Sequence, residues 1–267
     1  MDYKSCVSRI HVYLDVVCDI SNEVRRIYLR AMHQLGDAAM TLEKLGIEII
    51  WFDSLGAKSS SISITTSRGL VVVDPGAAKM QPSYPLPLQE KLRIRSQAVE
   101  EIMYRVEKST AIIVTHYHYD HHVLPSDRDV KNPRLFLGKL WILKNPNMYI
   151  NESQWHRARK FINEMLNLID GNLYESLLEK PQMHEFEDTA EILEEALSKD
   201  FGDYNTRRRE LLAKGKKWFQ TLAQKFWSRE QWIREASLDK LSIVWGDGKT
   251  FHFGDAETDL KAPVSRG

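Results

Sequence analysis

Along the chain, hydrophobic and polar positions follow two different periods. From residue 22 to residue 45, Val24, Ile27, Leu29, Met32 and Leu35 recur at helical spacing, with Gly36 and Gly46 as punctuation, so the pattern predicts a helix over 22–45. The texture changes at Gly46. Short β-type runs follow at 47–52, 61–66 and 70–73, separated by Gly, Ser and Lys turns in the manner of an antiparallel opening. Asp74-Pro75-Gly76 ends the third run, and a loop containing Pro82, Pro85 and Pro87 comes next. Leu92, Ala98, Val99, Ile102, Met103 and Val106 then mark an amphipathic helix. It feeds Ala111-Ile112-Ile113-Val114, a continuous apolar run of the kind a strand covered on both faces shows.

Residues 125–240 read as mostly helical, with one stripe of Trp155, Phe161, Ile162, Met165 and Ile169, a second of Ala190, Leu193, Ala196 and Leu197, and a third of Leu211, Trp218, Leu222 and Phe226. Strand texture returns at Leu241-Ser242-Ile243-Val244-Trp245, and Gly246-Asp247-Gly248 predicts a hairpin turn into Thr250-Phe251-His252-Phe253. The expected organisation is a helical N-terminal extension over 1–45, an α/β core over 46–124, a helical insertion over 125–240 that is too long for a plain loop, and a return to the core sheet over 241–267. Residues 1–45 read either as a helical arm or as an upstream extension with Met40 as the natural start, and the extension is preferred.

Composition narrows the class. The chain has 267 residues, 43% of them hydrophobic, and its 37 basic residues are cancelled by 37 acidic ones, which fits a globular protein and disfavours a whole-surface nucleic-acid binder. Cys6 and Cys18 are the only cysteines, too few for a disulfide framework or a thiolate zinc module, so a cytoplasmic setting is expected. No stretch approaches the roughly 18 apolar residues needed to span a bilayer, so no membrane association is expected. Charge is nevertheless segregated. Residues 185–200 are acidic, whereas Arg207-Arg208-Arg209, Lys214, Lys216 and Lys217 crowd around Trp218 and Phe219, and Arg157, Arg159 and Lys160 flank Trp155 and Phe161. Such interleaving can track a phosphate backbone, but a solvated helix face with inward-packed aromatics is the favoured reading, paired with the acidic segment.

The candidate chemistry lies in one loop. Four of the nine histidines fall in His116-Tyr117-His118-Tyr119-Asp120-His121-His122, directly after the apolar run. On an extended segment His116 and His118 point to the same side, and Asp120 and His121 follow where the chain turns. Imidazoles and a carboxylate suit zinc, with manganese or iron as further choices, and the loop offers up to four ligands. Tyr117 and Tyr119 point the other way, toward packing. His122 is either a residue supporting a ligand or a spare ligand.

The strand 111–114 followed by Thr115 and His116-x-His118-x-Asp120-His121 resembles the HxHxDH signature of the metallo-β-lactamase-like superfamily, and Asp74 at its strand end is similar to that superfamily's first motif. Asp53-Ser54-Leu55-Gly56, the doubled His121-His122, the stretch from Asn145-Pro146-Asn147 to Ser153-Gln154, and Asp247-Gly248-Lys249-Thr250 resemble, more narrowly, an uncharacterised, largely archaeal branch of predicted hydrolases. The resemblance implies a four-layer αββα sandwich of which this chain carries the N-terminal half with a long helical insertion. It implies one or two divalent metal ions, with His116 and His118 in the first site, Asp120 and His121 in the second, Asp120 as the catalytic carboxylate, and Asp74 and His122 in support. The implied reaction is attack of metal-bound hydroxide on an ester, lactone, amide or phosphodiester, with a small-molecule or phosphodiester substrate.

The chain departs from that pattern after His122. His156 and His184 lie in the helical block and His252 in the expected hairpin, Gly254-Asp255 reads as a turn, and in Ala262-Pro263-Val264-Ser265-Arg266-Gly267 the position of the branch's third histidine is Arg266 or just past the end. Half a sandwich would leave its inner sheet face bare and prone to self-association. The rival expectation is therefore a non-catalytic, truncated or degenerate chain that binds metal weakly or holds a partner or RNA.

Overall fold

The computed structural model describes residues 42–52, 60–186 and 198–260. It is a mixed α/β arrangement built on a seven-stranded sheet. Strand β1 (Ile47–Phe52), β2 (Ser60–Thr66) and β3 (Gly69–Val73) form an antiparallel meander. Helix α1 (Leu88–Lys108) carries the chain over to β4 (Ser109–Val114), which pairs parallel with β3 and, on its other side, with β5 (Leu140–Leu143). Helix α2 (Glu152–Asn167), a single turn α3 (Leu173–Ser176) and β6 (Leu178–Glu179) follow, then α4 (Tyr204–Leu222) and β7 (Trp232–Ile233), which pairs with β6. Finally β8 (Ala236–Leu238) and β9 (Leu241–Trp245) close the sheet in the order β1-β2-β3-β4-β5-β9-β8, with β9 parallel to β5, and β10 (Lys249–Phe253) and β11 (Ala256–Leu260) form a separate hairpin.

Both faces of the central strands are buried, as the unbroken apolar run of β4 requires. Ile112 and Val114 face α1 and α2, joining Val99, Ile102, Phe161, Ile162, Trp141 and Leu143 in one core. Ala111 and Ile113 point the opposite way, into a second cluster with Val71, Val73, Ile142, Phe253 and Leu260. The hairpin β10–β11 supplies the last two, and so the inner face expected to be bare is covered at its centre: Val71, Ala111, Ile113 and Ile142 are all at most 2% exposed.

Two local expectations change. The block 125–240 is not only helical, because Leu140-Trp141-Ile142-Leu143 is an internal strand of the main sheet; a four-residue apolar run carries no period that separates strand from buried helix. The turn at Gly246-Asp247-Gly248 does not make a hairpin. It carries the chain from β9 out of the main sheet, and the hairpin turns instead at Gly254-Asp255, where Gly254 has a φ of 74° and Asp255 accepts a hydrogen bond from the Ser67 amide at 2.7 Å. The helix expected over 22–45 lies largely outside the described residues, whose Leu42–Leu45 form a 3-10 turn. Cys6, Cys18, most of the acidic segment 185–200 and residues 261–267, with Arg266, also lie outside them. Among the described residues no helix is long and apolar enough to cross a membrane.

The parallel strands all point their carboxyl ends the same way, and the candidate chemistry collects there, the usual place for a site in a sheet of this kind. Asp74 follows β3, Thr115 and His116 follow β4, Lys144 follows β5, and Asp247 comes just after β9. These ends are stitched together side by side. Asp74 binds Thr115, the Tyr117 hydroxyl donates to the Lys144 carbonyl at 2.5 Å, and Lys144 pairs with Asp247.

Candidate metal centre

Strand β4 ends at Val114, and the loop it releases is held from two sides. On the β3 side, Asp74 adopts a φ of 51°, a left-handed conformation that Asp tolerates better than most residues, and its carboxylate turns back onto the loop. Oδ1 accepts from the Thr115 amide at 2.8 Å, while Oδ2 accepts from the Thr115 hydroxyl at 2.8 Å and from His121 Nδ1 at 2.7 Å. Gly76 then runs against the loop backbone so closely that a Cβ there would lie 2.3 Å from the His122 nitrogen and 2.4 Å from the His121 carbonyl carbon. The Val123 amide donates to the Pro75 carbonyl at 3.1 Å. On the other side α2 opens with Asn151 capping the Gln154 amide, and buried Gln154 presents its side-chain oxygen to the Tyr117 amide at 3.3 Å.

Within this clamp His116, His118 and Asp120 converge: one ligand atom from each lies within 4.8 Å of the others, and all three residues are half-buried. Among the described residues this is the one group of three or more His, Cys, Asp or Glu so disposed. Two imidazoles and a carboxylate are a donor set for zinc, iron or manganese. A metal takes the neutral form of histidine. Burial, seconded by the neighbouring His121, pushes His116 down to about 4, and burial also lowers His118, so both rings keep a lone pair near neutrality. On that chemistry the residues present fit a divalent metal.

His121 differs from its neighbours. Its ring lies 3.6 Å from that of His116, centroid to centroid, but Nδ1 is committed to Asp74 and Nε2 faces Asp120 Oδ2 at 3.6 Å, so it stands beside the triad rather than in it. Burial would depress its basicity, yet the Asp74 charge and hydrogen bond outweigh burial and raise it. His122 is fully buried between Tyr117, Tyr119 and Phe161. Its Nδ1 lies 3.1 Å from the His118 carbonyl and must donate to it, which leaves Nε2 buried without a partner; burial lowers its basicity to about 3. His122 thus lies outside the grouped triad, with its ring packed against Phe161.

The two tyrosines part company. Tyr117 is fully buried, as expected, but Tyr119 is 38% exposed at the rim, where the Arg157 guanidinium lies 4.9 Å from its ring centroid. Of the aromatics in the basic clusters, Trp155, Phe161 and Phe219 do pack inward, whereas Trp218 is 56% exposed, against the inward reading. His156 and His184 are exposed and sit against Phe226 and Phe186, and exposed His252 pairs with Glu257, so none joins the triad. Sequence reasoning did not single out Gly76, Thr115, Gln154 or Arg157 as parts of the site. For Gly76 the Asp-Pro-Gly punctuation was a usable signal; the contact of Thr115 with Asp74 is visible only once β3 and β4 are side by side, and those of Gln154 and Arg157 only once the loop and α2 are.

The chain is similar to archaeal proteins named UPF0282. It is 32% identical over 117 residues to one from Pyrococcus horikoshii, covering 41% of this chain and 38% of that protein, and 36% identical over 117 residues to one from Aeropyrum pernix, covering 43% and 38%. A third, from Saccharolobus islandicus, is 33% identical over 138 residues, covering 47% and 42%. The chain thus spans about two fifths of the length of these relatives. No family model and no solved structure matches it.

Proposed function

We propose that this chain is the N-terminal part of a metal-dependent hydrolase of the metallo-β-lactamase-like superfamily, acting on an ester, lactone, amide or phosphodiester. The observation that carries the reading is the convergence of His116, His118 and Asp120 at the carboxyl end of β4, backed by the Asp74 carboxylate arriving from the end of β3. These are the residues of the HxHxDH loop and of the strand-end Asp in the expected chain order. His116, His118 and Asp120 would hold one divalent ion, with zinc first and manganese or iron as alternatives, and His121 Nε2 would lie toward a second. When bound, the ion supplies Lewis acidity and a nucleophile at neutral pH. The chain's own residues do the rest. Asp74 fixes the His121 tautomer, Thr115 and Gln154 hold the loop backbone, and buried His122 and Phe161 close its underside to water.

A second reading has its own support. All three converging ligands come from one short loop, with none from a second element among the described residues, and a set so local would equally serve a non-catalytic chain that binds metal or a partner.

Chelator-stripped protein, re-equilibrated with zinc, manganese or iron(II), decides between them. The hydrolase reading expects metal retention by the wild type, loss in the His116→Ala/His118→Ala double variant, and hydrolysis of nitrophenyl ester, lactone or phosphodiester probes that disappears with chelation and returns with metal. Metal content unchanged in the double variant, or hydrolysis indifferent to chelation, removes it. Metal binding with no hydrolysis of any probe favours the second reading.

A further inference from the structure

Helix α2 meets the metal loop through four residues spaced three, four and three apart, and so on one face: Gln154, Arg157, Phe161 and Glu164. Three of them are used up by the fold. Gln154 accepts from the Tyr117 amide at 3.3 Å, Phe161 packs on the His122 ring at 4.8 Å between centroids, and Glu164 accepts from the Ser126 amide at 3.0 Å. Arg157 makes no hydrogen bond and no ion pair among the described residues; its guanidinium rests on the ring of Tyr119, the residue between His118 and Asp120. Its charge is close enough to His118 to disfavour the protonated imidazole. Tyr119 is 38% exposed, and Arg157, His118 and Asp120 are each half-buried, so this part of the loop lies at the surface.

An arginine held over a tyrosine ring by cation–π attraction, with no hydrogen bond or ion pair of its own, keeps its N–H donors available. Such a planar fork matches the two oxygens of a phosphoryl group or a carboxylate. We propose that Arg157, oriented by Tyr119, is an anion-recognition residue of the His116–His118–Asp120 site, and that the substrate carries an oxyanion next to the bond that reacts. This rests on the metal-hydrolase reading for its substrate, though not for the anion site itself. It favours phosphoesters and carboxylate-bearing esters or lactones over their neutral counterparts.

The test is calorimetric titration of inorganic phosphate and, separately, of acetate into wild type, Arg157→Ala and Arg157→Lys, each with and without manganese. Arg157→Ala should weaken the preferred anion by at least about 10-fold, as loss of a charge-assisted pair does, with Arg157→Lys between the two and manganese affinity unchanged. Loss of the phosphate arm identifies a phosphoryl substrate and loss of the acetate arm a carboxylate. Equal anion affinity in wild type and Arg157→Ala, or binding of neither anion, overturns the proposal. Arg157-dependent anion binding in a protein that holds no manganese would leave the anion site standing and remove the hydrolase reading instead.

Discussion

Asp74 Oδ2 lies 2.7 Å from His121 Nδ1, and the same oxygen accepts from the Thr115 hydroxyl at 2.8 Å. One carboxylate from the end of β3 thereby sets the tautomer of a histidine in the loop after β4. With the proton held on Nδ1, the lone pair sits on Nε2, the nitrogen that faces Asp120.

Asp74→Ala should therefore weaken metal binding by about 10–100-fold, the usual loss when a partner that orients ligands is removed. Competition against a chromophoric chelator measures it. An affinity equal to wild type would mean that the loop holds its shape without the carboxylate.

Gly76 should not tolerate even a methyl group. A Cβ would meet three backbone atoms of residues 120–122 at 2.3–2.6 Å, and backbone cannot swing aside as a side chain does. Gly76→Ala should cost at least about 1–3 kcal/mol, the range for overpacking, and lower metal affinity as well. Gly215→Ala, in open space within α4, is the control and should raise stability by about 0.5–1 kcal/mol. Urea unfolding of the two variants checks both signs, and a Gly76→Ala protein as stable as wild type would contradict the close approach.

What the sequence made legible follows from the range of each interaction. The run 111–114 declared a doubly covered strand because its apolar character is local, and the histidine loop and Asp74 were marked by residue type and order. Strand β5 was hidden because four apolar residues inside a helical neighbourhood carry no period. The β10–β11 hairpin was misplaced because Gly246-Asp247-Gly248 is as good a turn by composition as Gly254-Asp255; the choice is made by Phe253 and Leu260 reaching Val71 and Ile113 across the sheet. Gln154 and Arg157 were invisible for a related reason. An amphipathic pattern shows which face of α2 is apolar, not which loop its polar residues will meet.

Gln154→Ala should expose that missing link. It orphans the Tyr117 amide, a buried donor, and loss of such a partner costs about 1–3 kcal/mol. Because Tyr117 lies between His116 and His118, metal affinity should fall with stability. Thermal melts with and without zinc separate the two: a variant destabilised without metal but showing the full wild-type gain on adding zinc would confine Gln154 to the fold.

His122 should make the protein acid-sensitive even without metal. Folded, its Nδ1 donates to the His118 carbonyl and burial holds its basicity down at about 3, against 6.5 for an ordinary histidine. Between those values the unfolded chain binds a proton that the folded chain does not, so stability is lost as pH falls from 6.5, at about 1.4 kcal/mol per pH unit for one such group. His116, lowered to about 4, and His118, also lowered, add losses of the same sign. His121 works against them, since its raised basicity gives a contribution that is complete at low pH and lost as pH rises. Urea unfolding of chelator-treated protein at pH 7 and pH 5 should show the fall, and His122→Phe, which keeps a ring against Phe161 and removes the proton site, should flatten it by about one proton's worth of slope. An identical slope in the two proteins would mean that His122 is protonated in the folded state, and that its Nε2 has a partner.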